Sequence, residues 1–304
     1  MAGQGLMSLF RTHSPGASTQ PGRAGSYWRA LLGIVCSIAL GALALAAWRH
    51  LAPPQAEAGW RYEVYLDDVE KVSALAIDSQ GQLLLSQELQ NGQGRILQRN
   101  ADGSLTEVEL GLSKPDGMAT FRGGVVFSQE QDTEPVRWYG RDGTRTLFSG
   151  RNIEGLASDG RFLYAIEDRH GDGHLLRYDP ETDTTLVLRS DLDEAEAITA
   201  CPDGRLYYSE KAKGQVRQLV AEGNDPLVLE GLNQPGYLLC TADGLWITED
   251  ATHMARLLLL SADGRQHTVL SHLRSAQTIV QTAPGRYLLA EQGRNRVLSL
   301  QRRD

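Results

Sequence analysis

The sequence predicts an all-β, six-bladed β-propeller of four-stranded antiparallel blades, preceded by one transmembrane helix. Three observations carry this: six internal repeats spaced 37 to 43 residues apart, a tight glycine turn within each repeat, and one uncharged run of 19 residues near the N-terminus. A repeat of about forty residues with a turn every eight to twelve is the size of a propeller blade, and it excludes helical repeats.

The six segments are SALAIDSQGQLLLSQE (73–88), DGMATFRGGVVFSQE (116–130), EGLASDGRFLYAIE (154–167), EAITACPDGRLYYSE (196–210), PGYLLCTADGLWITE (235–249) and QTIVQTAPGRYLLAE (277–291). Each holds two short apolar runs split by a pair such as Asp159-Gly160 or Asp203-Gly204, where glycine supplies the positive φ of a hairpin turn. A third run follows (HLLRYD, QVRQL, ARLLLL), then a second turn and a fourth run such as TTLVLR at 184–189. The last repeat stops after its third strand. RYEVYLDDVEKVSALAI (61–77) mirrors TTLVLRSDLDEAEAITA (184–200), so Tyr62 to Leu66 is expected as the fourth strand of blade six. That closure removes two sheet edges and fixes the count at six.

Ala30 to Trp48 carries no charge, and at 1.5 Å per residue it reaches about 28 Å, close to a bilayer's hydrocarbon thickness. Arg11, Arg23 and Arg29 precede it without an opposing carboxylate, which orients the N-terminus to the cytoplasm, and Trp28 and Trp48 bracket it as interfacial aromatics. Ala44-Leu45-Ala46 has the form of a signal-peptidase site, but the leader and the apolar stretch are both long for a signal peptide. The expected organisation is a disordered cytoplasmic tail at 1–29, an anchor at 30–48, a linker at 49–59 and the propeller at 60–304, in the periplasm or another extracytoplasmic space.

Charge is divided unevenly. Of 30 basic residues four Arg precede Glu57 and no acidic residue does, so the remaining chain sets 38 carboxylates against 26 cations, a net charge of −12. Such a domain repels phosphate backbones and excludes nucleic acid as a partner. Cys36 lies in the apolar run. Cys201 and Cys240 are expected as two buried thiols rather than a bridge, because repeat-equivalent positions on neighbouring blades usually sit too far apart for disulfide geometry.

First strands line a propeller's channel, and their opening residues ring its mouth: Ser73, Asp116, Glu154, Glu196, Pro235 and Gln277. Three carboxylates in consecutive blades repel one another unless a cation joins them, and oxygen donors of this kind suit Ca²⁺ or another hard divalent cation. Asp116, Glu154 and Glu196 are therefore the candidate ligands, with Asn233 and Asn152 as the nearby amides. The glutamates ending the segments, Glu88, Glu130, Glu167, Glu210, Glu249 and Glu291, are each followed by a basic residue: Arg95, Arg137, His174, Arg217, Arg256 and Arg296. This repeating pattern reads as cross-strand structural pairs, with an acidic collar as the alternative. His170 and His174, in the blade-three loop HGDGH, are the candidate general bases.

The strings KPDGMAT (114–120), NIEGLASDGRFLYAIED (152–168), LLRYDPETD (175–183) and LLAEQGRNRVLSL (288–300) resemble the six-bladed propellers of the SMP-30/gluconolactonase, strictosidine-synthase-like and NHL-repeat group, over residues 60–304. The resemblance implies a divalent cation at the channel mouth, with Glu154 and Asp116 matching the family's ligands in type and Glu196 placed for a further one. The pattern departs in blade one, where Ser73 stands at the family's Glu position. Two functions follow as expectations. One is a membrane-anchored propeller that binds a small-molecule, protein or glycan ligand at its channel-mouth face; the other is a divalent-metal-dependent lactone or ester hydrolase.

Overall fold

The computed structural model describes residues 23–303; the tail expected at 1–29 therefore lies largely outside the described residues. The rest of that segment is helical. One helix, α1, runs Arg23–Leu51 over 29 residues, extending past both ends of the uncharged run. Nothing between Gly22 and Pro53 breaks a helix, and Arg49 and His50 in the last turn suit its negative end. Within it, Tyr27–Leu51 holds an 18-residue window with a mean hydropathy of 2.4, and is long and apolar enough to cross a membrane.

The second compact unit begins at Ala52 and is a six-bladed propeller. Blades one to four occupy 72–112, 118–149, 153–192 and 195–229, each with its four strands paired in sequence order. Blade five spans 235–273 and blade six 276–302. Trp60–Leu66 is the fourth strand of blade six, antiparallel to Arg296–Arg302 with Tyr62 opposite Leu300. This is the predicted closure. It is reinforced by aromatics from blades five and six, with the Trp60 and Trp246 ring centroids 5.3 Å apart and those of Trp246 and Tyr287 4.4 Å apart.

The core is divided among six clusters, one in each gap between neighbouring blades. Alternation along the innermost strand explains the division. In blade one Leu75 packs toward Leu288 and Ala290 of blade six, whereas Ala74 and Ala76 pack toward Met118 and Phe127 of blade two. Side chains of the innermost strands thus fill the gaps between blades, and their second edge, which has no strand partner, faces the axis.

Two expectations are corrected. The segment 49–59 is not a free linker: it ends the helix at Leu51, then adds Gln55–Ala56 as an outer strand beside Gln266–Leu273 of blade five. The Arg294 guanidinium holds the Ala52 carbonyl at 2.6 Å and the Tyr62 hydroxyl donates to the Pro54 carbonyl at 2.8 Å, so the backbone groups of this stretch are satisfied by the propeller. The second correction is Cys201–Cys240, which form a disulfide with Cα atoms 4.9 Å apart. The pair lies at the ends of two innermost strands, one residue out of repeat equivalence, where neighbouring blades converge on the axis. The Cys240 N–H donating to Thr199 Oγ1 at 3.2 Å marks the same close approach.

The bridge closes a loop of 39 residues, for which the chain-entropy model gives about 3–4 kcal/mol. Alkylation of the denatured, unreduced protein followed by mass spectrometry should therefore count one free thiol, Cys36. Replacing both Cys201 and Cys240 by Ala should lower stability to denaturant by about that amount.

Candidate functional site

The mouth of the channel is built from two concentric rings, each repeated six times. The inner ring is Ser73, Asp116, Glu154, Glu196, Gly236 and Gln277: in five blades the residue after the first backbone pair of the innermost strand, and in blade two Asp116, two residues before the strand Met118–Phe121. Strand register places Gly236, not Pro235, at this position in blade five, because Pro235 lies opposite Glu249 as Ala195 lies opposite Glu210. Asp116, Glu154, Glu196 and Gln277 are all buried. Their closeness depends on the glycines that follow them. A Cβ on Gly117 would overlap the Glu154 carbonyl, and one on Gly155 would lie 2.5 Å from the Glu196 carbonyl, so the PDG and EG strings let consecutive blades draw these carboxylates together.

The outer ring is Glu88, Glu130, Asp168, Lys211, Asp250 and Gln292: the residue just past the second strand in five blades, and in blade two the third residue past Phe127. Each donates its backbone N–H to a residue in the loop preceding its own blade: Lys71, Lys114, Asn152, Glu194, Gln234 and Ser275, at 2.8–3.0 Å. All six acceptors have positive φ, between 43° and 55°. Non-glycine residues adopt this conformation at a cost, and the sixfold recurrence identifies the turn as the device that aims the outer ring at the axis.

This geometry splits the repeated glutamates into two groups. Glu167, Glu210, Glu249 and Glu291 occupy the second-strand position and pair with His174, Arg217, Arg256 and Arg296 at 2.5, 3.1, 2.8 and 2.7 Å. In blades one and two that position is Gln87 and Gln129; Glu88 and Glu130 are displaced by one residue. A one-residue displacement in a strand turns the side chain to the other side. Glu88 and Glu130 therefore face the mouth, and their expected partners go elsewhere: Arg95 to Glu107 at 2.7 Å and Arg137 to Glu109 at 3.1 Å.

The mouth consequently gathers Glu88, Asp116, Glu130, Glu154, Asp168, Glu196 and Asp250. Most have donors. Lys114 binds Glu130 and lies 3.8 Å from Glu88. Lys211 binds Glu196 at 2.5 Å and Asp250 at 2.9 Å. Asp116 accepts from Ser73 and from the Tyr237 hydroxyl, which crosses from blade five to the opposite blade and also donates to the Asp116 carbonyl at 2.7 Å. Gln277 donates to Asp250 at 2.7 Å and Gln292 to Glu88 at 2.5 Å.

Glu154 is the exception. It is 3 % exposed, and its hydrogen-bonding neighbours are two other carboxyls, Asp168 and Glu196. Asp168 Oδ1 and Glu196 Oε2 are buried and have no hydrogen-bond partner. Burial and then the charges of Glu196 and Asp116 push the Glu154 carboxyl well above its ordinary range. Burial also raises Glu196 and Glu88, each to about 8, opposed in Glu196 by Lys211 and aided in Glu88 by Asp116. Lys211 is raised in turn: burial works against its charge, and the surrounding carboxylates outweigh burial.

Oxygens of Glu130, Glu154 and Asp168 lie within 4.8 Å of one another, as do those of Glu88, Asp116 and Glu130. These trios differ from the expected set of Asp116, Glu154, Glu196 and Asn233. Asn233 is exposed, and its backbone N–H, not its side chain, is held by Glu249 at 2.8 Å. His170 has a side chain 81 % exposed beside Asp193 at 2.8 Å, and His174 is the blade-three partner of Glu167, so neither joins the carboxylates around Glu154. The sequence pattern missed Asp168, Asp250, Lys114, Lys211 and Tyr237. All but Tyr237 sit in or beside the positive-φ loops, where the sequence offers no glycine as a signal.

No protein-family model matches the sequence, and neither does any curated protein sequence. Solved structures do match. A gluconolactonase from Xanthomonas campestris is 15 % identical, with a TM-score of 0.66 over 83 % of this chain and 95 % of that one. The likeness is one of fold. An auxiliary nutrient-binding protein from Bacteroides ovatus is 13 % identical, with a TM-score of 0.66 over 82 % of this chain and 78 % of that one. A virginiamycin B lyase from Staphylococcus aureus is 17 % identical, with a TM-score of 0.57 over 79 % and 83 % of the two chains. One architecture thus carries proteins named for binding and for two kinds of catalysis, and the mouth residues of this chain must decide its chemistry.

The raised carboxyls fix the sign of a pH dependence. A fold that favours the protonated carboxyl gains stability below the ordinary value of 4.5 and loses it as pH rises through about 8 for Glu88 and Glu196. Stability of the full chain in detergent with a chelator should therefore fall across that window. Glu154→Gln should flatten the fall and raise Tm at pH 8 by roughly 2–6 °C. A wild-type profile that is flat or rises from pH 4.5 to 8 would contradict this account.

Proposed function

We propose that this protein is a membrane-anchored, extracytoplasmic propeller that binds a ligand through a positively charged group at the carboxylate-lined channel mouth. The observation that carries this reading is Glu154, a buried carboxyl that meets only other carboxyls while Lys114 and Lys211 are already held by its neighbours. A cation placed between Glu154, Asp168 and Glu130 would offset the burial that raises all three carboxyls and the carboxylate repulsion that adds to it at Glu154 and Glu130. The structural neighbour named as a nutrient-binding protein has the same architecture, which is compatible with a binding role. Two features support an extracytoplasmic propeller: the Arg-only flank before the uncharged run 30–48, and the Cys201–Cys240 disulfide, a bond that persists in oxidising compartments.

A second reading has its own observation. The Glu130, Glu154 and Asp168 trio is an all-oxygen donor set with an unpartnered Asp168 oxygen, which fits a hard divalent cation such as Ca²⁺. Glu130, Glu154 and Asp168 would hold the ion, which when bound supplies a Lewis acid for a lactone or ester carbonyl. In that reading Glu196, raised to about 8 and hydrogen-bonded to Glu154, is the group able to give or take a proton near neutral pH. Lys211, raised and held by two carboxylates, stays cationic and would orient a substrate oxygen.

Calorimetric titration of the chelator-treated full chain with CaCl₂, paired with assays on gluconolactone and p-nitrophenyl acetate, separates the two. Binding of about one equivalent of Ca²⁺, lost in Glu154→Gln, without turnover supports the binding reading with a cation at its centre. Turnover that falls at least a hundredfold in Glu154→Gln supports the hydrolase. If Ca²⁺ neither binds nor changes the pH profile of stability, both metal-centred versions fail, and the cationic group must belong to an organic ligand.

A further inference from the structure

Behind the carboxylates, on the same axis, lies a cavity of about 380 Å³ that the mouth chemistry does not use. Its walls come from all six innermost strands, in consecutive runs such as 75–77, 155–158 and 278–281. Consecutive residues line it because the wall is the unpaired edge of each strand, which presents backbone N–H and C=O groups to the axis. No charged residue takes part. Tyr237 closes the cavity on the mouth side through its bond to Asp116. At the other end the rim residues Ile77, Thr120, Ser158, Ala200, Thr241 and Gln281 are partly or fully exposed, so the cavity opens on the face opposite the carboxylates.

The geometry points to a second binding site, in this cavity, for a small uncharged polyol. The volume lies within the range of small-molecule pockets. A charged ligand would lose its hydration with no opposite charge in the wall to replace it, and a purely apolar one would leave the backbone groups of the strand edges unsatisfied. A compact molecule with several hydroxyls answers both requirements, each hydroxyl donating to a carbonyl or accepting from an N–H of the edges. Access is from the far face, independent of the carboxylate mouth and of any cation bound there.

Saturation-transfer NMR on the full chain in nanodiscs tests this, with myo-inositol and D-xylose as uncharged probes and the anions D-gluconate and D-glucuronate, which the acidic mouth does not attract, as charged ones. The site predicts transfer to the uncharged probes and not to the charged pair. Ala200→Trp, which obstructs the opening, should abolish it, with Ser158→Tyr as a second obstruction should that variant not fold. Glu154→Gln should leave the signal intact, which separates this site from the mouth. Equal transfer to charged and uncharged probes, signal that survives both obstructions, or no transfer to either polyol would overturn the proposal and leave a channel that holds water only.

Discussion

Six blades sharing one axis crowd the opening residues of their innermost strands together at the channel mouth, and the rest of this molecule follows from that crowding. Whatever residue opens an innermost strand is forced into a ring with its five counterparts. Here the ring contains Asp116, Glu154 and Glu196 in consecutive blades, packed closer by Gly117 and Gly155, which admit the neighbouring carbonyls. The same convergence brings Cys201 within bonding distance of Cys240 and lets Tyr237 span the channel to Asp116. None of these contacts is local in sequence; each is a product of ring closure, which in turn rests on Trp60–Leu66 pairing with the last strand.

Gathering carboxylates in a buried mouth is unfavourable, and the chain offsets it in three ways. Lysines from blades two and four each engage carboxylates around them. Hydroxyls and amides from Ser73, Tyr237, Gln277 and Gln292 satisfy Asp116, Asp250 and Glu88. What remains, the Glu154 carboxyl, is shifted well above its ordinary range because burial disfavours the charged form. On the proposed reading, a positive charge from outside would compensate that carboxyl.

The two ends of the channel are chemically opposed. One is acidic and crowded; the other is uncharged and lined by strand edges. Tyr237 and Asp116 form the partition between them, so a ligand at one end is isolated from the other by a buried hydrogen bond rather than by distance. On the outside of the disc, the segment after the helix adds a strand to blade five, which covers part of an outer edge that would otherwise be free to pair with another chain.

Much of the fold was legible in the sequence, because turn chemistry and period-two alternation act over a few residues. Asp-Gly pairs, the forty-residue repeat, the uncharged run and the mirrored strand at 61–77 determined six blades, their closure and one apolar helix. The opening carboxylates Asp116, Glu154 and Glu196 were legible for the same reason. Tertiary structure decided the rest. Aligning Glu88 and Glu130 with the other segment-ending glutamates was off by one residue, invisible in composition but enough to move both side chains from the blade to the mouth. His174 belonged to that structural pairing, and His170 to the solvent. Asp168, Lys114 and Lys211 became site residues through left-handed turns at non-glycine positions, and Tyr237 through a contact across the full channel. Hydrogen bonding along a strand is written locally; which groups meet at an axis shared by six strands is settled only when the ring closes.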